Sequence, residues 1–141
     1  MRKAIVRFGV LCACAGLAGC VSDSRQEVLL VDKSQVELRA VQTRAFDTTD
    51  KALTIRNVIS TLQDLSFVVD KVDETLGTVS GTKLSGYAMR MTVTIRPRGE
   101  SQMAVRASAQ YNLNAVSDAA PYQQFFSALE KAMFLTAHDV D

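Results

Sequence analysis

The cleanest period in the chain runs from Tyr87 to Arg96. Met89, Met91, Val93 and Ile95 alternate with Arg90, Thr92, Thr94 and Arg96. A period of two predicts a strand with one buried and one wet face. Gln102 to Tyr111 repeats it, with Met103, Val105, Ala107, Ala109 and Tyr111 against Ala104, Arg106, Ser108 and Gln110. Pro97-Arg98-Gly99-Glu100 between them reads as a turn, so the two form an antiparallel hairpin. Upstream, Phe67 to Val72 is short and rich in β-branched residues, which predicts a strand. Asp73 to Gly77 turns the chain, Thr78 to Leu84 pairs back, and Ser85-Gly86 turns it again.

Two stretches carry the helical period instead. Ala52, Ile55, Val58, Ile59, Leu62 and Leu65 recur three and four apart, predicting a helix from about Asp50 to Leu65. Lys51, Arg56, Asn57 and Gln63 fall largely on its other faces. Thr48 or Thr49 suits its cap, and Asp50 suits its positive end. Pro121 fits the first turn of a second helix. Its stripe is Tyr122, Phe125, Phe126, Leu129, Ala132 and Met133, and it ends near Ala137 or His138. Asn112 to Ala120 reads as a loop. Ser34 to Phe46 carries two signals. Ser34-x-x-Glu37 matches a capping box, while Val36, Leu38, Ala40 and Gln42 alternate as in a strand. The strand is taken, because Asp47-Thr48-Thr49-Asp50 is the clearer helix start. The order is then β-α-β-β-β-β-α. That predicts a two-layer α+β sandwich, mostly antiparallel, with both helices on one face of the sheet.

Residues 1–34 have a different composition. Arg2, Lys3 and Arg7 precede an apolar run from Phe8 to Ala18, too short for a stable membrane span. Leu17-Ala18-Gly19-Cys20 then resembles the lipobox of bacterial lipoproteins. The resemblance implies cleavage between Gly19 and Cys20, a diacylglyceryl group on the Cys20 thiol and an acylated new amine. The expected organisation is a signal peptide over 1–19, a lipidated tether over 20–34, one domain over 35–138 and a tail over 139–141. Within the tether, Val28 to Val31 fits either a short edge strand or a segment lying on the domain. Losing Arg2, Lys3 and Arg7 turns a formal charge of +1 into −2, which argues against a nucleic-acid partner. Cys12 and Cys14 fall in the cleaved segment and Cys20 is consumed by lipid. No thiol then remains for a disulfide, a zinc site or a nucleophile.

A second resemblance covers most of residues 36–135. Arg39-Ala40-Val41-Gln42-Thr43-Arg44-Ala45-Phe46-Asp47-Thr48, Leu62-Gln63-Asp64-Leu65-Ser66-Phe67, Leu76-Gly77-Thr78-Val79, Lys83 and Tyr122-Gln123-Gln124-Phe125-Phe126 resemble a family of small, mostly uncharacterised proteobacterial lipoproteins. Ser66 stands where that family usually has glycine, which eases a left-handed helix stop. The element order is similar, at the level of fold alone, to helix-grip domains of the lipoprotein in the outer-membrane barrel-assembly machinery, and fold does not carry function.

The candidate chemistry is sparse. His138 is the only histidine, fourth from the end, and reads as a tail residue without an orienting partner. Asp70, Asp73 and Glu74 surround a turn without the spacing of a calcium loop. No phosphate loop, zinc spacing or nucleophile elbow appears, so no metal and no cofactor beyond the lipid is expected. Arg90, Arg96 and Arg106 form a possible patch for an anionic partner, against the alternative of a solvated sheet face. Tyr122, Phe125, Phe126, Leu129 and Met133 line a possible groove between helix and sheet, against the alternative of core packing. The expected function is a non-enzymatic binding or assembly module. It is lipid-anchored at the periplasmic face of the outer membrane, or alternatively of the inner membrane, and holds an envelope protein. A carrier or sensor of an apolar ligand is the alternative, and a hydrolase the weakest.

Overall fold

A sheet with one apolar face needs a cover, and here helices supply it. The architecture comes from a computed structural model in which residues 34–85 and 87–138 are described. The chain divides into two compact units, Met1–Lys33 and Ser34–Asp141, and the described residues all belong to the second. The lipobox, Cys20, the tether up to Lys33 with its Val28–Val31 segment, and residues 139–141 lie outside them.

The elements are α1 (34–41), β1 (Thr43–Phe46), α2 (Lys51–Asp64), β2 (Val68–Asp73), β3 (Thr78–Ser85), β4 (Tyr87–Arg98), β5 (Gln102–Tyr111), β6 (Asn114–Ala115) and α3 (Ala120–His138). The sheet order is β1-β5-β4-β3-β2, antiparallel at each pairing, with β6 also paired to β5. The fold is the expected two-layer α+β sandwich. Val79, Met91, Val93, Ile95, Met103, Val105, Ala107 and Ala109 point into the core, where they meet Ile55, Val58 and Leu62 of α2 and Tyr122, Phe125, Phe126 and Leu129 of α3.

Several boundaries differ from the sequence pattern. Residues 34–41 are helical, so the strand expected over Ser34–Phe46 shrinks to Thr43–Phe46. Leu38 and Val41, three apart, pack on the core while Val36 is exposed; the capping-box signal carried the information and the alternation was incidental. Pro97 lies within β4, opposite Met103, instead of in a turn. It is tolerated there because β3 pairs with β4 only as far as Thr94. The loop after Tyr111 contains β6, reached through Asn112 at φ 52°, and its end buries Val116.

Helix α2 is capped by Asp50, whose carboxylate accepts the Leu53 N–H at 2.8 Å. Thr48 instead accepts the Asp50 N–H. The buried stripe is rotated from the expected one. Ala52 is exposed, while Thr54, Asn57 and Thr61 are buried, because α2 packs against α3 as well as the sheet; Asn57 donates to Met133 Sδ at 3.1 Å.

At its end, Ser66 adopts φ 66°. The Ser66 N–H donates to Gln63 O and the Phe67 N–H to Leu62 O, both at 2.9 Å. That is a Schellman stop, made with serine in the glycine position.

Candidate functional site

Three places combine polar groups with defined geometry. The first is buried. Gln42, just after α1, enters the core beside Tyr122 and donates to its hydroxyl at 3.2 Å. The Ala109 N–H donates to the same oxygen at 3.2 Å, and the Tyr122 O–H donates to Val116 O at 2.7 Å. The hydroxyl therefore joins α1, β5, the β6 exit and α3, with its hydrogen-bonding capacity used. Arg44 reinforces the same corner. Its guanidinium donates to Ala40 O and Thr43 O, lies 5.4 Å from the Phe126 ring centre and sits 3.9 Å from Glu130. Asp47 accepts from Gln102 at 2.6 Å. Much of the Gln42–Thr48 signature is thus spent on joining α1, β1 and the start of α2 to the core.

The second place is the sheet face opposite the helices. Thr94 pairs with Arg106, Arg96 with Ala104, and Thr43 with Arg106 from the other side. The small Ala104 beside two long arginines leaves a shallow hollow of about 550 Å³ bounded by Thr43, Thr94, Arg96, Ala104, Arg106 and Ser108. Arg96 and Arg106 are brought together there. Arg90 is on the same face but opposite Thr82 and Gln110, outside the hollow. Among the described residues none of the three has an acidic group at ion-pair distance.

The third place is a cleft of about 320 Å³ between the end of α2, the start of α3 and the ends of β3, β4 and β5. The stripe Tyr122, Phe125, Phe126 and Leu129 does not line it; those side chains are fully buried packing, and Met133 is partly buried beyond them. The cleft opens beside the first turn of α3 instead, at Ala120, Pro121 and Gln124. Its sequence signal was Lys83, a cation on the core-facing parity of β3.

The remaining candidates are placed as follows. Asp73 accepts the Leu76 N–H at 2.8 Å and Asp70, at a bulge in β2, accepts from Thr82. Among the described residues no three metal-ligating side chains converge, and no helix is long and apolar enough to cross a membrane. The backbone of His138 closes α3; its side chain, like that of Cys20, lies outside the described residues. No family model matches the chain, and no curated protein matches it.

Proposed function

We propose that this chain is a lipid-anchored envelope protein that works as a binding module without enzymatic activity. Cys20 would hold it at the periplasmic face of the outer membrane, since Val21 is not the aspartate of an inner-membrane retention signal. The domain would then keep an acidic segment of a partner protein near the membrane. The observation that carries this reading is the hollow between Arg96 and Arg106. Two cations without acidic partners among the described residues flank a surface of hydroxyls, on the sheet face that the core does not use. Such a face offers complementary charge and hydrogen bonds to an acidic partner.

A photoreactive residue at Ala104 of the full chain in cells tests the surface. The expected result is an adduct with one defined envelope protein, lost when Arg96→Glu and Arg106→Glu are combined and retained when the probe protein carries Glu100→Lys. An Ala104 probe that forms no adduct, or one indifferent to the arginines, refutes the proposal. The anchor is tested separately: Cys20→Ser should take up no tagged fatty acid, and the wild-type chain should sediment with outer-membrane markers.

A further inference from the structure

Lys83 occupies a position where the sheet's alternation calls for an apolar side chain. Val79 and Gly81 of β3 face the helices and are buried, and Lys83 follows them on the same parity. It pairs with Met89, which pairs with Tyr111. One row across three strands therefore ends the core with a lysine, a methionine and a tyrosine. All three line the cleft.

The walls of that cleft are mixed: Leu65, Met89, Tyr111 and Pro121 offer apolar surface, buried Phe67 and Met91 reach it only at their edges, and Ser85, Asp118 and Gln124 add polar groups. Gly81 makes the seat of Phe67. A Cβ at Gly81 would stand 3.3 Å from the Phe67 Cβ and 3.1 Å from Val68 O, so its absence lets the ring lie close on the sheet. The Lys83 ammonium is 5.8 Å from the centre of that ring. Among the described residues it has no carboxylate at ion-pair distance. The acid at the cleft among the described residues is Asp118, whose Oδ1 accepts the Ala120 N–H at 3.1 Å at the positive end of α3. The cleft thus joins apolar side chains to a cation, Lys83, that has no carboxylate at ion-pair distance among the described residues, beside a helix start that already neutralises Asp118 in part. Its volume lies at the lower end of the roughly 300–1,000 Å³ of small-molecule sites, which are mostly apolar with a few placed polar groups.

From this arrangement we infer that the cleft is a binding site for a small amphiphile: a short acyl chain lying against Leu65, Met89 and Tyr111, above the edge of Met91, with its carboxylate on Lys83. The hydrocarbon replaces water against the apolar part of the wall, and the carboxylate supplies Lys83 with a counter-charge that the described residues do not. The site is separate from the Arg96–Arg106 hollow. Its ligand is bound on the helix side of the sheet, and neither proposal depends on the other.

Methionine methyl resonances read this directly, because Met89 and Met91 line the cleft while Met103 and Met133 do not. The full chain in phospholipid nanodiscs, labelled at methionine methyls, is titrated with octanoate and in parallel with octanol. Octanoate is expected to shift Met89 and Met91 saturably and to leave Met103 and Met133 in place. Lys83→Gln should weaken octanoate at least tenfold while changing octanol less than twofold. Gln124→Trp, a substitution at an exposed position on the rim, should block both. The unliganded methionine spectra of both variants should match the parent away from the cleft, which shows that they are folded. Shifts no larger at Met89 and Met91 than at Met103 and Met133 overturn the inference. So does octanoate affinity that survives Lys83→Gln unchanged.

Discussion

Tyr122 shows how much a single side chain can be asked to do in a core this small. Its ring is fully buried and its hydroxyl satisfies Gln42, Ala109 and Val116 at once. Removing the oxygen leaves two donors and an acceptor without that partner, in a place water does not reach. An unsatisfied buried polar group costs about 1–3 kcal/mol, so Tyr122→Phe should lower stability by at least that amount. The urea midpoint would fall at unchanged slope. Thr61 is the converse case. Its Oγ1 is buried without a hydrogen-bond partner among the described residues. Thr61→Val keeps the shape and removes the unpaired hydroxyl, so it should stabilise by about 1 kcal/mol on the same scale. A loss of stability would mean that the hydroxyl has a partner in solution.

The element ends are where backbone geometry decides. Ser66 and Gly77 both have φ near 65°, yet their surroundings differ. Ser66 is exposed and carries a side chain in the left-handed region, which disfavours every residue with a Cβ by roughly 1–2 kcal/mol. Ser66→Gly should therefore stabilise by about 0.5–1 kcal/mol, after allowing for glycine's freer unfolded chain. Gly77 has no such latitude. Its carbonyl accepts the Ile95 N–H at 2.7 Å, and a Cβ there would lie 2.4 Å from Ile95 O and 2.8 Å from Lys51 Cε. Gly77→Ala must displace the β2–β3 turn from β4. The expected result is destabilisation greater than the roughly 1–2 kcal/mol of the φ penalty alone, with hydrogen-exchange protection lost first in β2 and β3. Equal effects of opposite sign at the two positions would contradict this contrast.

For the whole molecule, the two faces of the sheet divide the work. The helix-side face holds the fold: Phe125→Ala should cost roughly 3–5 kcal/mol, a large part of the roughly 5–15 kcal/mol typical of a domain. The opposite face does not. Combining Arg96→Glu with Arg106→Glu should move stability by no more than about 0.5 kcal/mol per site, because both side chains are exposed and lack ion-pair partners among the described residues. Thermal unfolding of the two variants beside the parent checks both expectations. A core variant that unfolds near the parent, or a double-arginine variant that unfolds far below it, would reverse this division.

The sequence by itself determined most of the architecture. Alternation over Tyr87–Arg96 and Gln102–Tyr111, and spacings of three and four before Leu65 and after Pro121, specify the central strands and both covering helices. Those periods register which face is buried, and burial is their physical cause. Short elements were decided elsewhere. Residues 34–41 satisfy a strand and a helix pattern equally over so few positions, and contact of Leu38 and Val41 with the core selects the helix. Thr54, Asn57 and Thr61 are buried because α3 lies beside α2, a neighbour the local pattern does not contain. The candidate sites follow the same rule. The arginines were legible as a polar face, but only the pairing register sets Arg96 and Arg106 around Ala104 and leaves Arg90 aside. The aromatic stripe of α3 was legible as apolar, and packing made it core. The cleft lies at its start because Lys83 and Met89 of one hairpin, Tyr111 and Pro121 converge only when three strand ends meet two helix ends.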